Sequence, residues 1–290
     1  MKQVTRVATE KIAVVFDFDE TLTPRDSFAV LLENSGFDAE EIKSSKIQSL
    51  VEEGWEKYLA RAYTTVQLSR QRSSPITQDT LIKTGQTIQL YEGAETLFER
   101  LQDQIHSVGS DIELEFYLIS GGFVDIPRNT AIAKNFKHMW GCEFHYDETG
   151  AVDFIKKQMT HTEKTRYLYY LSRGIEASDN EKDLIYNYAD LPKEDLYIPL
   201  DQVIYVGDGA SDIPCFAAIK EHGGMSIGIY PSDRSAKDWK YMEKISQTQR
   251  LSNLVPAGYE DDSELVRSLS LCVECIATQI KLRQLREKGE

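Results

Sequence analysis

Residues 12–23 read IAVVFDFDETLT, five apolar residues from Ile12 to Phe16 running straight into Asp17, Phe18 and Asp19, with Thr21 two places on. A short apolar run rich in branched side chains reads as a strand buried on both faces. Paired carboxylates at its end concentrate negative charge where water is scarce. That repulsion costs stability unless a positive charge shares the site. Side chains at i and i+2 of extended chain point to one side, so Asp17 and Asp19 face a common centre if the extended conformation persists past the strand.

Outward from this stretch, strand-like and helix-like segments alternate, which predicts an α/β fold with a parallel sheet covered by helices. The candidate strands are residues 12–16, 114–119, 203–206 and 225–229. The first three lead into DFDETLT, SGGF and GDGASD. Ligands of open α/β sheets collect beyond the carboxyl ends of the strands, so these three stretches are expected to converge despite their separation in sequence.

Each stretch offers a specific chemistry. In DFDETLT one carboxylate can attack phosphorus while the other handles protons, given a divalent cation to neutralise charge; an acidic turn after a strand is the plainer alternative. LISGGFVD, residues 118–125, places Ser120, Gly121 and Gly122 after a strand and before an expected helix. Exposed backbone N–H groups there form an anion site, unless the glycines serve only the turn. VIYVGDGASDIP, residues 203–214, sets Asp208 between glycines with Asp212 four places on, a spacing that suits a hard cation held through oxygen. A glycine-rich turn with an N-capping aspartate explains the same residues. Positive charge is available from Lys164 or Arg166 at the start of a helix, with Lys156 and Lys157 as competitors.

Composition narrows the function classes. The chain has 290 residues, 41% of them hydrophobic, enough for a packed core, and a formal charge of -14. That charge disfavours nucleic-acid and anionic-membrane partners and leaves room for a small anionic substrate. No segment reaches the roughly 18 apolar residues of a membrane span, and the first apolar run is too short for a signal peptide, so a cytoplasmic location is expected. Cys272 and Cys275 form a C-x-x-C without a second pair, inside an expected helix, and read as half-buried core residues.

Residues 27–90 form a helical block whose apolar positions Ile47, Leu50, Val51, Trp55, Leu59, Ala62 and Val66 fall at helical spacing. The block is too long for a connection and is expected to sit above the strand ends as a lid. Gly93 then opens a helix leading to the second strand. Residues 174–201 are acid-rich with tyrosines in the middle and read as an insertion packing those tyrosines on the body. From Ser263 onward an amphipathic helix is expected, with polar last turns that fray.

Taken in order, the four elements resemble the haloacid dehalogenase superfamily of aspartate-nucleophile phosphohydrolases. Its pattern of a D-x-D-x-T loop, a Ser or Thr after the second core strand, a Lys and a G-D-x-x-x-D loop is met by Asp17, Asp19 and Thr21, by Ser120, by Lys164, and by Asp208 and Asp212. The finer likeness is to the phosphoserine phosphatase branch, with its helical cap, SGGF and GDGAxD. The resemblance implies a Rossmann-like core of residues 1–26 and 91–290 and a helical cap of residues 27–90. It implies a Mg²⁺-dependent phosphatase acting on a small phosphorylated metabolite through an aspartyl phosphate; a phosphotransferase sharing that intermediate and a catalytically silent phosphate-binding module are the alternatives.

Site roles follow from the same resemblance. Asp17 would be the nucleophile, and Asp19 the acid and base, its main-chain carbonyl joining the metal shell. Thr21 would steady the loop, Ser120 and Gly121 would hold the phosphate, and Lys164 would bridge phosphate and nucleophile. Asp17, Asp19, Asp208 and Asp212 would form the Mg²⁺ site. The branch's head-group glutamate corresponds to Asp26, its arginine to the candidate Arg61, and its fourth-loop Asn to Ser211, departures that bear on serine specificity.

Overall fold

A computed structural model of the chain describes residues 9–71, 73–176, 191–231 and 250–288. One seven-stranded sheet organises them. Its strands are β1 (Lys11–Phe16), β2 (Glu113–Phe123), β3 (Phe136–Tyr146), β4 (Val152–Lys157), β5 (Val203–Gly207), β6 (Met225–Tyr230) and β7 (Asn253–Pro256). The spatial order is β4-β3-β2-β1-β5-β6-β7. All neighbours are parallel except β3 and β4, which pair antiparallel at the edge.

β1 is central because it is buried on both faces: every residue from Ile12 to Phe16 is fully buried. It pairs with β2 on one side and β5 on the other, and the chain leaves it in opposite directions to reach them. That reversal opens a crevice at the carboxyl ends of the strands, where the loops after β1, β2 and β5 meet. Helices cover both faces of the sheet. α4 (Ala94–Val108) and α7 (Glu264–Lys288) pack on one, and α5 (Glu163–Arg173) and α6 (Ile213–Glu221) on the other. α4 begins directly after Gly93, whose φ of 81° and close approach to the Tyr259 carbonyl leave no room for a side chain.

Residues 27–90 hold α1 (Ser27–Asn34), α2 (Lys57–Arg70) and α3 (Gln78–Thr87), with a shorter helical run between the first two. That run breaks at Gly54, where φ is 99°, and leaves Val51 exposed; the apolar spacing therefore spans two helices. The block is tied to the turn between β3 and β4. Gln78 N–H donates to the Gly150 carbonyl at 2.9 Å, Val152 N–H donates to the Ile76 carbonyl at 2.8 Å, and Arg70 reaches Asp153.

Two expectations are corrected here. SGGF does not stand between a strand and a helix: β2 runs on through Phe123. β3 stays alongside that far, pairing Cys142 with Phe123 and accepting the Val124 N–H at the Cys142 carbonyl, with an irregular register absorbing the glycines. Cys272 and Cys275 are not alike either, the first being buried and the second exposed. In the acid-rich stretch 174–201, residues 177–190 lie outside the described residues. No helix among the described residues is long and apolar enough to cross a membrane.

Candidate active site

The loop after β1 starts by continuing the strand. Asp17 N–H donates to the Val206 carbonyl of β5 at 2.9 Å, so the first carboxylate is fixed by the sheet itself. The chain then turns: Thr21 and Leu22 N–H groups return to the Phe18 carbonyl, and Glu20 takes a φ of 55°, the only non-glycine residue with positive φ among the described residues. This turn presents Asp17 and Asp19 to one cavity of about 290 Å³.

Beneath Asp17 lies a buried ion cluster. The Lys164 side chain is 1% exposed, and its Nζ donates to Asp17 Oδ2 at 2.7 Å, to Asp212 Oδ1 at 2.8 Å and to Ser211 Oγ at 3.3 Å. Burial alone would lower the lysine's pKa, but Asp17 and Asp212 outweigh it and hold the ammonium charged. Asp212 is fixed further by the Tyr205 hydroxyl at 2.7 Å and the Gly209 N–H at 3.2 Å.

The acids outnumber that lysine. Burial pushes Asp17 up to about 7, with Asp212 adding to the rise and Lys164 opposing it. Asp19 is pushed up to about 6, first by burial and then by Asp26, against the Ser27 N–H that it accepts at 2.7 Å. Asp208 rises well above the carboxylate range through burial and its neighbours Asp212 and Asp17. Among the described residues, oxygens of Asp17, Asp208 and Asp212 lie within 4.8 Å of one another. An all-oxygen, charge-deficient donor set of this kind fits Mg²⁺ and suits a soft metal poorly.

Comparisons with known proteins bear on this arrangement. No family model matches the sequence. An uncharacterised protein of Borreliella burgdorferi is 22% identical over 204 residues, covering 64% of this chain and 67% of that protein. A HAD family hydrolase of Salmonella enterica serovar Typhi superposes with a TM-score of 0.58 at 15% identity, over 92% of this chain and 72% of that one. A phosphoserine phosphatase solved as its phospho-aspartyl intermediate analogue gives 0.54 at 15% identity, over 91% of this chain and 99% of the other. The fold is that of the haloacid dehalogenase hydrolases.

Within this haloacid dehalogenase fold the sequence-derived residues fall into two groups. Asp17, Asp19, Asp26, Gly121 and Asp208 line the cavity, with Ser211 beside them. Lys164, Asp212 and Ser120 lie just behind the wall, Ser120 accepting the Gly122 N–H at 3.0 Å. Thr21 is fully buried and does not line the cavity; its hydroxyl has no hydrogen-bond partner among the described residues, while its carbonyl accepts the Tyr259 hydroxyl at 2.8 Å. Of the competing cations, Arg166 pairs with Glu163 and Tyr170, and Lys156 with Glu143.

The glycines of SGGF have a steric purpose. A Cβ on Gly122 would stand 2.7 Å from Asp19 Oδ2, and one on Gly121 would stand 2.6 Å from the Tyr58 ring. The opposite wall comes from α1 and α2. Asp26 caps α1 by accepting the Phe28 N–H at 3.0 Å and pairs with Arg61, whose Nη2 is 2.7 Å from Oδ2. Sequence reasoning missed Lys57, Tyr58 and His161, which also line the cavity. No motif spacing marks them, since they reach the site only through the packing of α2 and the start of α5.

Proposed function

We propose that the protein is a Mg²⁺-dependent phosphatase that hydrolyses a small phosphomonoester through an aspartyl phosphate on Asp17. The observation that carries this reading is Asp17 on the cavity floor, its Oδ2 held 2.7 Å from the buried Lys164 ammonium and its carboxylate grouped with Asp208 and Asp212. In this reading residues 27–90 act as a helical cap on a core of residues 1–26 and 91–290. A cavity of about 290 Å³ fits a small metabolite and excludes a phosphoprotein surface.

Asp17 attacks phosphorus, forming the carboxylate O–P bond as the bond to the leaving oxygen breaks. Asp19, pushed up to about 6, gives its proton to that oxygen. It then takes a proton from the water that attacks phosphorus, and the bond to Asp17 breaks to release phosphate. Lys164 holds Asp17 in line and offsets charge on the transferring group, with Ser120 and the Gly121 N–H as phosphate donors and Thr21 supporting the loop. Asp17, Asp19, Asp208 and Asp212 would hold Mg²⁺, which supplies charge neutralisation at the phosphate.

The test is release of p-nitrophenol from p-nitrophenyl phosphate in Mg²⁺. The parent should turn over, and Asp17→Asn should lose at least about a thousandfold while keeping its circular dichroism. Undiminished turnover by the variant removes Asp17 as nucleophile.

A further inference from the structure

The cavity wall opposite the phosphate end carries more positive charge than its own carboxylates satisfy. Both oxygens of Asp26 are engaged: Oδ1 accepts the Phe28 N–H at 3.0 Å and Arg61 Nη1 at 3.3 Å, while Oδ2 takes Arg61 Nη2 at 2.7 Å with Lys43 Nζ at 3.7 Å. Glu20 is the second carboxylate on this wall. Arg61, Lys43 and Lys57 stand against these two.

Lys57 differs from the other two cations. It is the first residue of α2, exposed at the cavity mouth, and makes no hydrogen bond or ion pair among the described residues. Burial against the wall, followed by repulsion from Arg61, holds its ammonium below the usual lysine range. Beside it, His161 is likewise exposed at the mouth, its ring 5.6 Å from that of Tyr58. A substrate ammonium entering here would meet surplus cations and a carboxylate, Asp26, already committed to Arg61. A substrate carboxylate would find an open donor.

We propose that Lys57 is a specificity residue that receives a carboxylate on the substrate, so that the favoured substrates are small phosphomonoesters of hydroxy acids. This deepens the phosphatase reading and rests on it for the phosphate end.

Three two-carbon probes separate the possibilities by the charge of their second group alone: phosphoglycolate (carboxylate), ethyl phosphate (neutral) and phosphoethanolamine (ammonium). The parent should prefer them in that order in kcat/KM, with about tenfold between the first two, the worth of one charge-assisted hydrogen bond at a part-exposed site. Lys57→Met should erase that tenfold through KM while ethyl phosphate hydrolysis stays within about twofold, and Lys57→Arg should restore it. Calorimetric binding of the same probes to Asp17→Asn in Mg²⁺ gives the preference without turnover. Turnover with equal preference in parent and Lys57→Met overturns the role of Lys57 and leaves the phosphatase reading standing. Selective, Lys57-dependent binding without turnover by the parent supports Lys57 and overturns the phosphatase reading. Preference for phosphoethanolamine in either assay also overturns the role.

Discussion

Replacing Lys164 by Met should cost about 3–5 kcal/mol of stability at pH 8 in metal-free buffer. That is the usual result of removing one partner from a buried ion cluster and leaving the other charges uncompensated. The structure sets the scale. The ammonium is 1% exposed and lies 2.7 and 2.8 Å from two buried carboxylates, each contact worth about 6 kcal/mol of gross attraction at an effective dielectric near 20. Much of that offsets the desolvation of three ions, which is why the net loss is smaller than the gross sum. Methionine nearly matches the lysine stem in volume, so the loss reports charge rather than a cavity. Urea unfolding followed by tryptophan fluorescence should show a lower midpoint with an unchanged slope. The loss should also depend on pH. Without the ammonium, Asp17 and Asp212 bind protons more readily in the folded state, while the same groups are ionised in the unfolded chain above about pH 5. The variant therefore loses stability faster than the parent as pH rises, and the gap should narrow between pH 8 and pH 5. A variant within about 1 kcal/mol of the parent at pH 8, or a gap that widens on acidification, would refute the cluster as the device that makes paired acids tolerable.

Two further predictions follow from the same geometry. Gly122→Ala places a methyl group 2.7 Å from Asp19 Oδ2, a side-chain end that can move, so p-nitrophenyl phosphate turnover should fall by at least about tenfold while the urea midpoint stays near the parent's. Mg²⁺ competes with protons for Asp17, whose raised pKa of about 7 makes its protonated form stabilising below about pH 4, with that contribution lost as pH rises through 7. Added Mg²⁺ should therefore raise the melting temperature more at pH 8 than at pH 5.5, and EDTA should reverse the rise; an equal shift at both pH values would contradict the carboxylates as ligands.

How legible a segment was depends on what its side chains face. β1, β2, β5 and β6 stand out in the sequence because strands buried on both faces are continuous apolar runs. β3 did not, since FKHMWGCEFHY mixes charged, aromatic and glycine residues, and β4 did not, since an edge strand alternates and VDFIKK is short. β2 appeared to stop at Ile119 because glycines usually punctuate strands; pairing with β3 overrides that local signal. In the site, Asp17, Asp19, Asp208 and Asp212 were readable because each loop follows a recognisable strand. The Asp26 and Arg61 pair spans 35 residues and is made by helix packing, so the arginine stayed a candidate until α2 was placed against α1. Lys57 and His161 had no such handle: a lone lysine or histidine looks like any other surface residue until the cavity exists.

The hydrogen bonds joining the helical block to the β3–β4 turn bear on how material enters and leaves. A segment inserted into a domain usually swings about its two points of insertion. Here those points are supplemented by a third mooring, at Gly150 and Val152, far from both in sequence. Three attachments define a plane and remove the pivot. To swing open, the block would first have to unzip this mooring, at about 1 kcal/mol for each bond lost. Traffic is therefore directed through the gap guarded by Lys57 and His161, where side-chain rotation alone clears the passage.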